Sequence, residues 1–478
     1  MEYWRMNILL LTALSVTICN TGDGNMLTYL KIKNFKNLTD LFFDLTDNHQ
    51  QPKHTAIVYG ENGSGKTNLV SSILFLLKSL DTLSSQFIIK KELQNRAEEL
   101  KANGSEIDKI NIDEFMKRRY FSLEDLVSEN QSLATSKGID IEIGFELNGS
   151  KGSYHIVCND SEIVGEELRF LISKRSGIHF SITHDKVYIS SSVFTGEYLK
   201  NLHSLTNQYW GKHSFLSIMN YEKNLKNQQY IKDNISENLR VFMDWINTIS
   251  IYCHTGYGSQ ARLAVPYQSL FNLRRGKLSS SINLHEKDSI ENALDLFFGN
   301  LYSDVKRVYY KAEETSKGSE YELFLRKEVR GRVIEIPFKE ESTGTQKLLE
   351  LFPFFYSTYS GRTVIIDELD NGIHDLLISR IIDEITEMQK GQLIATTHAT
   401  TVMNSVKPEN LYVISSNPFG DSEIQCLSDY SFRTQKNHNI RNKYLNGDYQ
   451  GVPIIGHFDL NDIFSTVDKI DNDALSED

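Results

Sequence analysis

The eight residues Gly60-Glu-Asn-Gly-Ser-Gly-Lys-Thr67 constrain this chain more than any other stretch. They match the pattern GxxxxGK[ST], and they stand between an apolar run at 55–59 and a segment with apolar residues at Leu69, Val70, Ile73, Leu74 and Leu77. The spacing predicts a strand, a glycine-rich turn and a helix, the context in which the pattern has physical meaning. Glycines let successive backbone N–H groups converge on phosphate oxygens, and the following helix adds the positive end of its dipole. Gly60, Glu61, Asn62, Gly63, Ser64 and Gly65 are therefore expected to wrap the phosphates of ATP. Lys66 is expected to reach the β and γ phosphates, and Thr67 to offer its hydroxyl to Mg²⁺, a hard ion that takes oxygen ligands and keeps several waters. The plainer alternative, a glycine turn that binds nothing, does not explain the flanking strand and helix.

A second constellation is Thr363-Val-Ile-Ile-Asp-Glu368, an apolar run ending in two carboxylates. Open α/β sheets place their sites at such strand ends. Asp367 is expected to hold the magnesium through water, and Glu368 to act as general base toward the attacking water, beside the γ phosphate and off the metal. By itself an Asp-Glu pair after a strand is more often a solvated strand end; together with the glycine loop it reads as half of one site. A third run, Gln392-Leu-Ile-Ala-Thr-Thr-His398, delivers a histidine at the end of another buried strand. A lone histidine there is usually structural, but its spacing after Asp367 suits a γ-phosphate sensor. Lys66, Glu368 and His398 are thus the catalytic candidates, with Thr67 and Asp367 as metal candidates.

At 478 residues the chain exceeds one ordinary domain. The apolar runs at 363–367 and 392–396 read as parallel strands buried on both faces, and the alternating segment 27–35 with 41–45 as an antiparallel opening. Strands are expected at 139–147 and 153–158 around the turn Asn148-Gly149-Ser150, with more at 180–191, and again at 305–312, 321–329 and 333–338. The polar segments 90–101 and 106–119 read as exposed helices, 202–303 as mainly helical with 238–251 the clearest amphipathic stretch, and 373–389 and 400–405 as helices flanking the parallel strands. The fold class is α/β: a nucleotide head with a mixed sheet, split by a large, mostly helical inserted lobe. The expected divisions are 1–25 as a leader or mis-assigned start, 26–80 as the first half of the head, 81–300 as the inserted lobe, 301–430 as the second half and 431–478 as a C-terminal extension.

The formal net charge of −12 argues against a surface built for non-specific phosphate binding, so DNA is allowed but not indicated. Cys19, Cys158, Cys253 and Cys426 form no CxxC pair, which suggests neither a zinc site nor a disulfide framework and fits a reducing cytoplasm. The apolar stretch 7–18 resembles a signal-peptide core, but Val16, Thr17 and Ile18 before Cys19 are poor cleavage signals and the stretch is too short to span a bilayer. No membrane-length apolar run follows.

These motifs in this order resemble the ABC-type ATPase heads of the SMC and RecF group, and specifically the AAA-domain ATPases of that type found in bacterial antiphage systems. The resemblance covers most of 26–458 and rests on Ile32-Lys-Asn-Phe35, the loop from Gly60 to Thr67, the signature-like Glu341-Ser-Thr-Gly-Thr345, the pair Asp367-Glu368, the turn Leu369-Asp-Asn-Gly-Ile-His374 and Thr397-His398. The tail Lys443-Tyr-Leu-Asn-Gly-Asp-Tyr-Gln-Gly-Val-Pro453 is similar to the tyrosine, glycine and proline ending of that group. The resemblance implies a homo-oligomer with an ATP sandwich, in which Ser342 and Gly344 of one protomer close on the γ phosphate held by Lys66 of another. Ser342-Thr-Gly-Thr345 departs from the transporter-type LSGGQ, and no Q-loop glutamine is located.

Size and layout are similar to the ATPase subunits of abortive-infection systems of the PARIS and AbiL kind, which implies an effector partner, a nuclease or toxin, and a phage-encoded trigger. Three other readings stay open. Arg433-Thr-Gln-Lys-Asn-His438 fits the loose RxxxxH pattern of HEPN ribonucleases. A RecF-like DNA repair clamp is a second, and a transporter subunit, disfavoured by the long insertion and the signature, a third.

Overall fold

The computed structural model describes residues 7–8, 24–87, 122–132, 135–255, 258–265, 272–278, 284–315, 318–388, 390–417, 421–430, 439–452 and 459–466. The polar helices expected at 90–101 and 106–119 and the pair Arg433 and His438 lie outside these residues, as do most of the apolar stretch 7–18 and Pro453.

Short strands made of residues that are buried on both sides build the centre. Thr363–Ile366, Gln392–Thr396 and Thr55–Tyr59 pair in parallel, with Ile366 opposite Ala395 and Thr396 opposite Val58. All of their residues are buried, which is why the sequence reads as continuous apolar runs without alternation. Leu411–Ser416 joins Thr55–Tyr59 in parallel and Ser422–Cys426 folds back on it, while Ser250–Thr255 joins Thr363–Ile366 on the other side. Gly258–Arg262 runs antiparallel to Ser250–Thr255, and Asn7–Ile8 pairs with it at the edge. The sheet is mixed, and all three motifs end on the same edge of it.

One face of this sheet is covered by the helix Lys66–Ser79, which in turn lies under a second, seven-stranded antiparallel sheet. That sandwiching explains why the helix is apolar nearly all round, with Leu69, Val70, Ile73, Leu74, Phe75, Leu76 and Leu77 all buried. The antiparallel sheet runs, in order across it, Leu38–Asp44, Met26–Phe35, Asp140–Leu147, Ser150–Cys158, Ile163–Leu171, Ser176–Thr183 and Val187–Ile189. Asn148 and Gly149, both at positive φ, make the two-residue hairpin turn that the sequence announces. The strand Ile163–Leu171 has no counterpart in the sequence reading, because Glu166 breaks its apolar alternation. That carboxylate is buried and satisfied by Tyr154, Trp210 and the N–H groups of Phe215 and Leu216, which pin the helix Phe215–Leu225 to the sheet. The other face of the central sheet carries the helices Leu284–Leu301, Thr343–Tyr359 and Asp375–Met388, and a smaller antiparallel sheet of Arg275–Leu278, Val305–Thr315, Gly318–Val329 and Arg332–Pro337.

The α/β class with a mixed sheet is what the structure has, with differences inside the span 81–300. This span supplies five strands of the antiparallel sheet and two of the central sheet besides its helices, so it is woven into both layers. The amphipathic stretch expected to run to residue 251 ends as the helix Glu237–Asn247; Ser250–Thr255 is a strand in register with Thr363–Ile366. The apolar run Ile249-Ser-Ile-Tyr-Cys253 carries both periods, and pairing beside a buried strand decides for extended structure. The segment expected as a helix at 400–405 is a single 3₁₀ turn, Thr400–Asn404.

A buried glutamine joins the two large sheets. Gln392 accepts from Leu27 N at 2.9 Å and donates to Leu27 O at 2.9 Å and Lys53 O at 3.0 Å, treating Leu27 as a strand partner. Gln392→Ala is expected to lower unfolding free energy by about 2–3 kcal/mol, because it strands buried main-chain groups without partners; denaturant melts of the two proteins check it.

Candidate functional site

The loop after Thr55–Tyr59 turns sharply because of its glycines. Gly63 and Gly65 sit at φ +84° and +110°, a region that L side chains avoid, and a Cβ on Gly60 would lie 2.3 Å from the carbonyl oxygen of Ile414. Asn62 and Gly63 are exposed, whereas Ser64, Gly65 and Lys66 are buried, so the loop presents an open arc above a closed floor. Asn37 holds that arc from the antiparallel sheet: its amide donates to Gly63 O at 3.1 Å and accepts from Asn68 at 2.6 Å. The Ser64 hydroxyl oxygen is buried and has no hydrogen-bond partner among the described residues.

Lys66 is only 7% exposed, and its ammonium donates to the carbonyls of Gly60 at 2.7 Å and Glu61 at 2.9 Å. Burial pulls its pKa down, and the carboxylates of Asp367, Glu368, Asp370 and Glu61 pull it back up. The acidic side of the site thus faces the lysine directly.

Asp367 is fully buried at the end of Thr363–Ile366. It accepts from Thr396 Oγ1 at 2.7 Å and from His254 N at 3.3 Å, and Thr67 Oγ1 stands 3.4 Å away. Burial raises its pKa, opposed by those hydrogen bonds. Glu368 follows in the left-handed region at φ +48°, a strained conformation for a non-glycine residue, and its N–H donates to Thr396 Oγ1 at 2.8 Å. One hydroxyl, Thr396, therefore sets the positions of both acidic residues. Glu368 Oε2 accepts from Asn371 at 3.1 Å, at the start of the turn that carries Asp370.

His398 is exposed on the rim. Its backbone N–H donates to the Asp370 carboxylate at 3.2 and 3.3 Å, and Thr397 donates to the same group at 2.6 Å. Its imidazole pKa is lowered, first by partial burial and then by the positive charge of Lys66, which places the ring and the ammonium in one field. Lys66, Thr67, Asp367, Glu368 and His398 are thus brought together. Ser342 and Gly344 are seated elsewhere: Ser342 caps the helix Thr343–Tyr359 by accepting from Thr345 N, and a Cβ on Gly344 would lie 2.4 Å from the carbonyl oxygen of Gly372. The exposed start of that helix rests on the turn after Glu368. Lys347, one turn in, donates to the Tyr252 hydroxyl at 2.6 Å, and burial pushes its pKa down to about 8, with Glu368 and Asp367 among the carboxylates opposing the shift.

Sequence reasoning passed over Thr396, Asp370 and Asn37. Thr396 had a signal, being the first of two hydroxyl residues, Thr396 and Thr397, that end the run Gln392-Leu-Ile-Ala; Asp370 lay inside a turn already noted; Asn37 had none. Among the described residues no three His, Cys, Asp or Glu side chains gather into a metal cage. The oxygen pair of Thr67 and Asp367 fits instead an ion that keeps waters and phosphate oxygens as ligands. Thr396→Val is expected to cost about 2 kcal/mol of stability and to raise the Asp367 pKa further, since it removes that group's closest donor and leaves Glu368 N without its acceptor; thermal melts and carboxyl-carbon NMR titration check the two effects.

Residues 56–404 match a family described as "AAA domain, putative AbiEii toxin, Type IV TA system". No curated protein matches the chain by sequence. Among solved structures, an SMC head bound to the C-winged helix domain of ScpA aligns at 14% identity, over 84% of this chain and 96% of that one, with a TM-score of 0.40. The SMC head domain from Thermotoga maritima aligns at 16% identity over 84% and 98%, with a TM-score of 0.35. An SMC head with an extended coiled coil, bound to the C-terminal domain of ScpA derived from Pyrococcus furiosus, aligns at 14% over 84% and 97%, with a TM-score of 0.40. The family match spans most of the chain and contains the glycine loop, the acidic pair and the histidine: this chain belongs to that AAA-domain family.

Proposed function

We propose that the protein binds and hydrolyses magnesium-ATP and uses the cycle as a conformational switch. The observation that carries the reading is the meeting of the glycine loop and the acidic strand end: Lys66 is buried at the helix start, and the hydroxyl of the next residue, Thr67, stands 3.4 Å from the buried Asp367 carboxylate. Main-chain N–H groups of the loop from Gly60 to Thr67 hold the phosphates, and Lys66 moves from the carbonyls of Gly60 and Glu61 onto the β and γ oxygens. Thr67 and, through water, Asp367 hold the magnesium, which neutralises charge on the phosphates. Glu368, on the strained residue next to the metal ligand, takes the proton of the attacking water, and His398 contacts the γ phosphate.

Ser342 and Gly344 stand on the exposed start of the helix Thr343–Tyr359, whose positive end suits the γ phosphate of a second protomer. Hydrolysis then depends on homo-oligomerisation, and the contact of Gly344 with Gly372 links that interface to the turn after Glu368. For the biological role we favour control of a toxic effector in antiphage defence, a reading supported by the family's description as a toxin–antitoxin AAA domain. A RecF-like repair clamp is the competing role. A salt-dependent DNA affinity that rises with ATP would support the clamp; co-purification with a toxic nuclease from infected cells would support defence.

Lys66→Ala is expected to weaken magnesium-ATP binding about 100-fold, read by calorimetry. Glu368→Gln is expected to lower turnover at least about 100-fold while ATP stays bound in an assembled species, read by phosphate release and size-exclusion chromatography. Normal turnover in Glu368→Gln would remove the general-base assignment.

A further inference from the structure

The tail motif that the sequence singles out packs against the glycine loop itself. Residues 439–452 form the short helix Ile440–Leu445, whose start is capped by Asn439, and a turn closed by Gly447 N to Tyr444 O at 2.9 Å and Gln450 N to Gly447 O at 3.1 Å. Tyr444 is 7% exposed; its ring lies 5.6 Å from that of Tyr59, the residue before the loop, and its hydroxyl donates to Gly451 O at 3.0 Å. Gly451, at φ +68°, packs against the strand beside the loop so closely that a Cβ there would clash with Val413 Cγ1, and it would touch Gly60 Cα at an ordinary contact distance of 3.5 Å. At its other end Arg441 Nε donates to Thr400 Oγ1 at 2.9 Å, two residues past His398, while Tyr59 donates to Ala399 O at 3.2 Å. Tyr449 closes the turn from outside, buried against Tyr430, which donates to its carbonyl at 2.9 Å.

We propose that residues 439–452 are an internal strap in which Tyr444 and Gly451 position Gly60, and through Gly60 the Lys66 ammonium, for the triphosphate. The inference rests on the nucleotide reading above. Its physical route is short: Gly60 O is the closest acceptor of Lys66, so Gly60 sets where the ammonium rests before a triphosphate draws it onto its own oxygens. A Cβ at Gly451 would clash with Val413 and leave Gly60 in van der Waals contact, so the disturbance reaches Gly60 through Tyr59, the strand partner of Val413. The strap also spans from the loop to the turn that carries His398, so one segment holds the two sides of the phosphate site in register.

The test is the dissociation constant for magnesium-ATP of the wild type, Gly451→Ala and Tyr444→Phe, measured by calorimetry on full-length protein at a temperature where circular dichroism shows each folded. Gly451→Ala is expected to raise Kd about tenfold, and Tyr444→Phe, which keeps the ring and loses only the bond to Gly451, about threefold. A lowered melting temperature with Kd unchanged in both variants marks a merely structural segment and overturns the proposal. If Gly451→Ala does not fold, Tyr444→Phe decides alone. A wild type with no affinity for magnesium-ATP overturns the nucleotide reading itself, an outcome distinct from a wild type that binds alongside variants that bind equally well.

Discussion

The parallel pairing of three buried strands is the constraint on which the site depends. Lys66, Asp367 and Thr396 are far apart along the chain, and they meet because Val58 lies opposite Thr396 and Ile366 opposite Ala395. A slip of one residue would move a strand end by about 3.3 Å, more than a hydrogen bond tolerates. The 2.7 Å bond from Thr396 to Asp367 would then be lost, and with it the anchor of Glu368 N on the same hydroxyl. Because both faces of these strands are covered, their main-chain groups have no water to turn to, and full pairing is enforced by the cost of leaving buried amides unsatisfied. The register is therefore held by the whole core while its consequence appears only at the edge.

Much of this edge was legible in the sequence because the chemistry needs particular residues at particular offsets. The glycines, Lys66 and Thr67 announce themselves by spacing, and the strands that carry Asp367 and His398 announce themselves by apolar runs with a polar stop. What was not legible depends on partners distant in sequence. The run around Ser250 carries the helical and the strand period alike; its neighbour Thr363–Ile366 makes it a strand. Nothing near Asn37 marks it as a support of Gly63. Glu166 reads as an interruption of a strand until the donors of Tyr154, Trp210 and the helix start at Phe215 are in place. In each case the sequence supplies a residue capable of either role, and tertiary pairing chooses between them.

The charges of the site bear on the proposal that the cycle uses more than one chain. Burial works against both kinds of ion here: it raises the pKa of Asp367, opposed by the hydrogen bonds from Thr396, Thr67 and His254 N, and lowers that of Lys66, opposed by the carboxylates around it. Four carboxylates, Asp367, Glu368, Asp370 and Glu61, act on the Lys66 ammonium, and two of them also act on Lys347, so the site carries an excess of acid before any phosphate enters. A triphosphate adds further negative charge, which loop amides, the start of Lys66–Ser79 and the Lys347 ammonium are placed to meet within one protomer. A second positive helix end brought by another protomer offsets the deficit where charge on the γ phosphate is greatest. In the proposed sandwich the exposed start of Thr343–Tyr359 is that element, and its seat on Gly372 means that closing on a neighbour's phosphate also loads the turn that follows the strained Glu368. Assembly and catalytic geometry are then one event, because the same few residues carry both.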